Sequence, residues 1–473
     1  MNPHPPAPAR TSDLTARLDR LAWNRRHATI LVALGAGWLF DSLEVQLFSS
    51  AVGPLGDHFG ASVFARDAIL AVWLGGILLG ALAGGRLTDR FGRRRLFVLT
   101  LLWYAAFTAL TATSPDLGFV YAFRFLAALG VGAEYAIVNA AIAELMPARV
   151  RGKANAVVMN FWPAGAVAAG LLAYLALNTL SLSDAVSWRY LFLAGGLTAL
   201  VVLYFRRRIP ESPRWLAAQG RYQEAEAIVA ALETGSRPSG GPPSGNTGDA
   251  PAALTTRQAL RELLRHHRGR LALGAVLDLA EAFGYYGIFA LLSVVVLKQV
   301  HISQAHIPFF FIVGNLGGLA GGLGMATVLD RLGRHRTVAA CYALAAGGVG
   351  LLAWATSSGS PVWLTLAFVA ANAFGTAAWT SAYPTFTELF PTHLRGAGVG
   401  ACVAVGRIGA IVGTLSLPDL AARMGATASY LLVTACWLVG VAAIAVYRLR
   451  GGIDAAARPL EAVSGPVPAP VQP

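Results

Sequence analysis

Charge is scarce in this 473-residue sequence. Only 13% of its residues are Asp, Glu, Lys or Arg, against roughly 25% in soluble domains, while 56% are hydrophobic and mean hydropathy is +0.57. That excludes a solvated globular chain. Cysteine is scarce too. Cys341, Cys402 and Cys436 sit in apolar stretches, are odd in number and lack metal-ligand spacing, which excludes a disulfide framework and a cysteine-held metal. The nine histidines avoid the interiors of the apolar stretches, which excludes a histidine relay and leaves proton chemistry to carboxylates. No Ser/His/Asp set or metal-ligand cluster stands out, so no enzyme, cofactor or metal is expected. No apolar core precedes Ala28, so no cleavable signal peptide is expected.

What is present is a series of apolar blocks of about 20 residues, the length that spans ~30 Å of hydrocarbon. They hold many of the 52 glycines, as membrane helices do, and lack the short alternation of a membrane barrel. They predict twelve spans, at 28–52, 66–86, 95–113, 117–143, 153–178, 187–206, 270–297, 307–330, 335–356, 361–386, 395–418 and 426–448. The expected class is an all-α polytopic membrane protein, with the lipid bilayer as its partner.

The net charge of +13 does not call for nucleic acid, because of where the charge lies. Of 37 Lys and Arg, Arg124 and Arg407 are deep in spans. Arg66, Arg189, Lys298 and Arg423 face the side opposite the N-terminus, which leaves 31 on the N-terminal side. The positive-inside bias then puts both termini in the cytoplasm and the spans in the cytoplasmic (plasma) membrane.

The chain divides into an N-terminal segment (1–27), six spans (28–206), a linker (207–269), six more spans (270–448) and a tail (449–473). The linker's "GSRPSGGPPSGNTGDAPA" predicts disorder, and its "RWLAAQGRYQEAEAIVAALE" predicts an amphipathic helix. Leu14, Leu18 and Leu21 at helical spacing predict a helix lying on the membrane surface. The Pro- and Ala-rich tail from about Gly451 is expected to be mobile.

The two sets of spans echo each other. "GRLTDRFGRRR" (85–95) follows span two and "ATVLDRLGRHR" (326–336) follows span eight. "ELMPARVRG" (144–152) follows span four and "ELFPTHLRG" (388–396) follows span ten. "DSLE" (Asp41–Glu44) in span one is matched by "DLAE" (Asp278–Glu281) in span seven. Asp89 to Glu144 is 55 residues and Asp330 to Glu388 is 58. Matched patterns at matched offsets indicate internal duplication.

These residues resemble the major facilitator superfamily of secondary transporters, over about 28–448. Gly85 to Arg94 fits that family's G-x-L-x-D-R-x-G-R-[RK] loop. The second loop departs at Ala326, Val328 and His335. "PESPRWL" (210–216) resembles the sugar-porter, organic-cation and niacin-transporter branches. "RFLAALGVGAEY" (124–135) and "YPTFTELFPTHLRG" (383–396) resemble the niacin and metabolite:proton symporter group. The resemblance implies two pseudo-symmetric six-helix halves and alternating access. It also implies a latch between the halves when the outside is open. Here that latch would use Gly85, Asp89, Arg90, Gly92, Arg93, Glu144, Arg151, Glu211 and Arg214, with Asp330, Arg331, Gly333, Arg334, Glu388 and Arg395. Gly76, Gly80 and Gly84, with Gly314, Gly318 and Gly322, are small-residue stripes expected to pack helices between the halves.

Ionisable residues inside spans are expensive and mark function. Asp41, Glu44, Arg124, Glu134, Asp278, Glu281 and Arg407 are the interior set. At ~1.5 Å rise per residue, Asp41 and Arg124 reach similar depth, roughly 16 and 10 Å below one end, and Glu281 and Arg407 roughly 16 and 18 Å from the other. Asp41 and Glu44 share a helix face, where desolvation and repulsion favour a proton and Arg124 favours ionisation. That suits proton coupling, and the resemblance to sugar:proton symporters places it on Asp41 and Arg124. Glu134 belongs either to the end network or to the substrate path. Asp278, Glu281, Arg407, Tyr285, Tyr286, Trp162, Trp379 and Asn160 are the candidate substrate contacts. A proton-coupled symporter of a small organic acid, nicotinate-like, leads. An organic cation or drug transporter, or a sugar:proton symporter, stays open.

Overall fold

The computed structural model describes residues 7–178, 184–235, 254–292, 296, 307–456 and 458–464. Helix α1 (Ala7–Arg20) precedes a first set of long helices: α2 (Arg25–His58), α3 (Val63–Phe91), α4 (Arg93–Thr111), α5 (Leu117–Leu145), the pair α6 (Arg151–Met159) and α7 (Phe161–Asn178), and α8 (Asp184–Arg206). Short helices α9 (Pro213–Ala218), α10 (Tyr222–Thr234) and α11 (Thr256–His266) follow. The second set is α12 (Arg268–Leu291), α13 (Ile307–Leu332), α14 (Arg334–Ser358), α15 (Pro361–Glu388), α16 (Arg395–Met424) and α17 (Ala426–Leu449), and α18 (Leu460–Ser464) closes the described chain. A helix stands at each of the twelve expected places. Among the described residues ten spans are long and apolar enough to cross a membrane. The other two places are those of α2, which carries Asp41 and Glu44, and α4, which opens on three arginines.

Local chemistry sets the ends. Asn24 caps α2 by accepting from the N–H groups of Arg26 and His27, and Asp116 caps α5 by accepting from those of Gly118 and Phe119. The turns from α3 to α4 and from α13 to α14 pass through Gly92 (φ +89°) and Gly333 (φ +83°), a left-handed conformation that excludes most side chains. These are the glycines of the two D-R-x-G-R loops.

Three expectations need correction. Gly76, Gly80 and Gly84 do not join the two sets. They face Phe125, Leu129 and Ala133 of α5, and Gly314 and Gly318 likewise face α15 of their own set. The sets meet instead where Gly85 of α3 lies against Gly396 and Gly400 of α16, and where Gly322 of α13 lies against Asn160. A Cβ on Gly85 would collide with the Gly396 backbone, so only glycine fits that crossing. Second, α1 does not spend its leucines on a membrane surface. Leu14, Leu18 and Leu21 are buried in the protein core, and Arg17 pairs with Glu226 (2.5 Å) and Glu233 (2.8 Å) of α10. Third, the tail is docked as far as it is described. Leu460 and Val463 are buried, and the Arg270 guanidinium donates to the Val463 carbonyl at 3.0 Å. The expected amphipathic linker helix is two helices, α9 and α10. The stretch expected to be disordered lies, beyond its first residue, outside the described residues.

Candidate substrate and coupling site

At the charged end, four carboxylates cap four helix starts, where backbone N–H groups lack helical partners. Asp89 accepts from Gly396 and Ala397 of α16 at 3.1 and 2.9 Å. Asp330 accepts from Gly152 and Lys153 of α6 at 3.1 and 2.7 Å. Each reaches across to the other set, and each meets the second and third residues of the helix. Glu211 accepts from Arg93 and Arg94 of α4 at 2.8 and 3.2 Å, and Asp454 from Arg334 and His335 of α14 at 3.1 and 3.3 Å. Burial pushes the Glu211 carboxyl above its usual range despite these donors. For Asp454, burial also pushes upward, but the N–H groups of Ala456, Arg334 and His335 hold the carboxyl below the usual range.

Arginines tie these caps together. Arg93 pairs with Asp89 (3.3 Å) and Glu144 (2.8 Å), and Glu144 also takes Arg395 from the other set at 2.8 Å. Arg334 pairs with Asp330 (2.9 Å) and grips Glu388 with two N–H groups, at 2.9 and 3.1 Å. Arg151 and Arg214 each reach Asp19 at 3.0 Å, tying in the N-terminal segment. Arg90 and Arg331 are exposed and stand outside this buried network.

In the first set, Asp41 is fully buried on α2, with Tyr104 of α4 alongside. Arg206, from the end of α8, is a cation whose charge reaches it. Arg206 forms a buried ion pair with Glu134 of α5 and donates to the Phe97 carbonyl at 2.6 Å. Arg124 is also fully buried, between the rings of Trp73 (5.9 Å) and Phe192 (5.5 Å). The Glu44 side chain lies outside the described residues. Glu134 thus joins Arg206, not the network at the charged end.

The second set is arranged differently. Asp278 of α12 is fully buried, and among the described residues neither of its oxygens has a hydrogen-bond partner. Its carboxylate presses against Gly406, leaving no room there for a Cβ. Glu281, one turn on, is buried with Oε2 unpartnered. Arg407 of α16 does not close the expected ion pair with Glu281. It donates to the Tyr286 hydroxyl at 2.9 Å, lies over the rings of Tyr135 (5.0 Å) and Tyr286 (5.1 Å), and leaves Nε without a partner.

An aromatic layer joins the two centres. Trp38, Trp162 and Trp379 are mutually in contact, with ring centres 5.5–5.7 Å apart. Tyr135 meets Trp38 at 4.7 Å, Tyr285 meets Trp379 at 6.3 Å, and Tyr383 meets both Trp379 (6.1 Å) and Tyr135 (6.5 Å). The indole N–H groups of Trp38 and Trp379 are buried without partners. Asn160 stands apart from this layer, donating to the Ala156 carbonyl at 3.1 Å.

Sequence reasoning missed Arg206, counting it with Arg207 and Arg208 as a topology signal. Helical phase distinguishes them. Arg206 continues the buried face of Ala199 and Val202 at spacings of three and four, whereas its two neighbours are exposed. The same phase argument finds Trp38, one turn before Asp41, and Tyr383, one turn after Trp379.

A family profile described as the Major Facilitator Superfamily matches residues 34–414. The niacin transporter NiaP of Acinetobacter baylyi is 30% identical over 437 residues, 92% of this chain and 96% of its own length. The inner membrane metabolite transport protein YgcS of Escherichia coli is 28% identical over 431 residues, 90% of this chain and 92% of its own. Among solved structures, the proton:xylose symporter XylE bound to 6-bromo-6-deoxy-D-glucose superposes with a TM-score of 0.75 at 19% identity, over 93% of this chain and 99% of that one. The partially occluded inward-open xylose transporter XylE from E. coli gives 0.67 at 20%, over 91% and 99%. Long apolar helices, the paired loops and the family match over most of the chain lead to one conclusion: this chain belongs to the major facilitator superfamily and is an integral membrane secondary transporter.

Proposed function

We propose that the protein is a proton-coupled symporter of a small organic acid, an aromatic or heterocyclic carboxylate of the nicotinate kind. It works by alternating access between two six-span halves in the cytoplasmic membrane. The observation that carries this reading is Arg407. It is a fully buried guanidinium with one neutral hydrogen-bond partner, Tyr286, and it faces an aromatic layer built from both halves. A planar guanidinium suits a carboxylate, and the Trp and Tyr rings suit the flat body of an aromatic acid. The niacin transporter relationship supports the same substrate class.

In this reading Asp41, with Glu44 and Arg124, carries the coupling proton. Asp278, Glu281, Tyr285, Tyr286, Trp162 and Trp379 complete the substrate site. The caps and ion pairs around Asp89, Glu144, Asp330 and Glu388 close the cytoplasmic end while the outside is open. The Asp89 and Asp330 caps and the Glu144–Arg395 pair are made between the halves, so they must break for inward opening. One observation favours a second reading: two buried acids, Asp278 and Glu281, with three of four oxygens unpartnered among the described residues, would suit an organic cation. A ligand-stabilisation screen of the purified protein against aromatic acids, amines and sugars separates the two. A true ligand at a hundred times its Kd stabilises the fold by about 2.7 kcal/mol. Aromatic acids should raise the melting temperature, and a rise with amines alone would transfer the assignment to the cation reading.

A further inference from the structure

We propose that Asp278 and Glu281 take up a second proton that is linked to substrate: an organic anion docks on Arg407 together with protonation of this pair. The proposal rests on the organic-acid reading above. Asp278 and Glu281 lie three residues apart on one face of α12. Both are buried, and three of their four carboxylate oxygens lack any hydrogen-bond partner. A buried carboxylate in a settled structural role is paired or accepts hydrogen bonds. Among the described residues Asp278 does neither, and Glu281 leaves Oε2 unmet.

The groups facing the pair from the surrounding helices supply one positive charge. Arg407 and Cys402 face it from α16, Tyr383 from α15 and Tyr342 from α14, while Tyr285 stands on α12 itself. The Tyr342 hydroxyl is already committed to the Leu277 carbonyl at 2.9 Å. Tyr383 lies alongside Asp278 without closing a hydrogen bond. Arg407 is turned to Tyr286, and Tyr135 reaches over it from α5 of the other half.

A substrate carboxylate arriving at Arg407 would add its negative charge to that of the acid pair, against one guanidinium. A proton from the outer solution, bound to Asp278 or Glu281, removes one of those charges. It also converts an acceptor into an O–H donor that can hydrogen-bond the incoming carboxylate. The proton belongs to the pair, not to either residue alone. When the anion leaves on the inner side, the proton leaves with it, and no other bond changes. Asp41 lies in the other half, where Arg206 and Glu134 close on each other. The two halves therefore carry distinguishable protons.

Calorimetry on the purified full-length protein tests this, with nicotinate as the probe, in two buffers of equal near-neutral pH but different ionisation enthalpy. The expected result is uptake of about one proton per nicotinate bound, with Kd rising about tenfold per pH unit. Uptake should fall toward zero in Asp278→Asn/Glu281→Gln. Nicotinate binding with no proton uptake by the wild type overturns the proposal, and that measurement decides even where the variants fail to fold. Uptake undiminished in the double variant also overturns it. If amines bind and no aromatic acid does, the organic-acid reading itself falls, and this proposal with it.

Discussion

Asp41 and Asp278 open the same four-residue pattern, "DSLE" and "DLAE", in corresponding helices, yet their surroundings differ. Around Asp41, an arginine and a glutamate that the pattern does not contain, Arg206 and Glu134, have closed on each other. Around Asp278, the available arginine holds a tyrosine, and among the described residues three of the four acid oxygens are left without donors. The same pattern thus occurs twice, and helices outside it decide what stands beside each copy. The first copy has its counter-ions built in. The second leaves buried acids beside an arginine that holds a tyrosine.

Substitutions can break that comparison at different strengths. The largest effect is expected at Asp41. Asp41→Asn should abolish pH-driven accumulation in proteoliposomes while sparing substrate counterflow, and retained accumulation would remove Asp41 from coupling. Next comes Arg206→Ala, which strands Glu134 as an unpaired buried charge. It should lower the free energy of unfolding by about 3–5 kcal/mol, visible in denaturation of the detergent-solubilised protein. Arg206→Met combined with Glu134→Leu should recover much of that loss. Arg407→Lys keeps the charge but loses the planar fork, so Kd for an aromatic acid should rise about tenfold, or about 1.4 kcal/mol, without comparable loss of stability. The smallest effect sharpens the contrast most. Asp278→Asn removes a buried charge with no partner, so the ligand-free protein should become more stable, by about 1 kcal/mol. Destabilisation comparable to that of Arg206→Ala would mean that the two centres are alike after all.

The helices were legible in the sequence because a membrane requires each span to be apolar over its full length, and that signal is local. The D-R-x-G-R loops were legible because Gly92 and Gly333 must adopt positive φ and because Asp89 and Asp330 are costly without partners. What a local pattern does not carry is the partner. That Asp89 caps α16 and Asp330 caps α6 depends on how the two sets face each other. So does the meeting of Gly85 with Gly396, which the glycine spacing at 76, 80 and 84 misdirected toward the wrong pair of helices. Arg206 was hidden among three consecutive arginines, where composition says anchor and only helical phase says buried. Leu14, Leu18 and Leu21 show the same limit. An apolar stripe announces that something covers it, and the ion pairs from Arg17 to α10 decide what does.

The most direct test of the organic-acid reading is uptake of labelled nicotinate into proteoliposomes carrying an imposed pH gradient, inside alkaline. Accumulation above equilibrium is expected, collapsing with a protonophore and lost in Arg407→Ala. Nicotinate uptake indifferent to the gradient, or accumulation of an organic cation in its place, would contradict it.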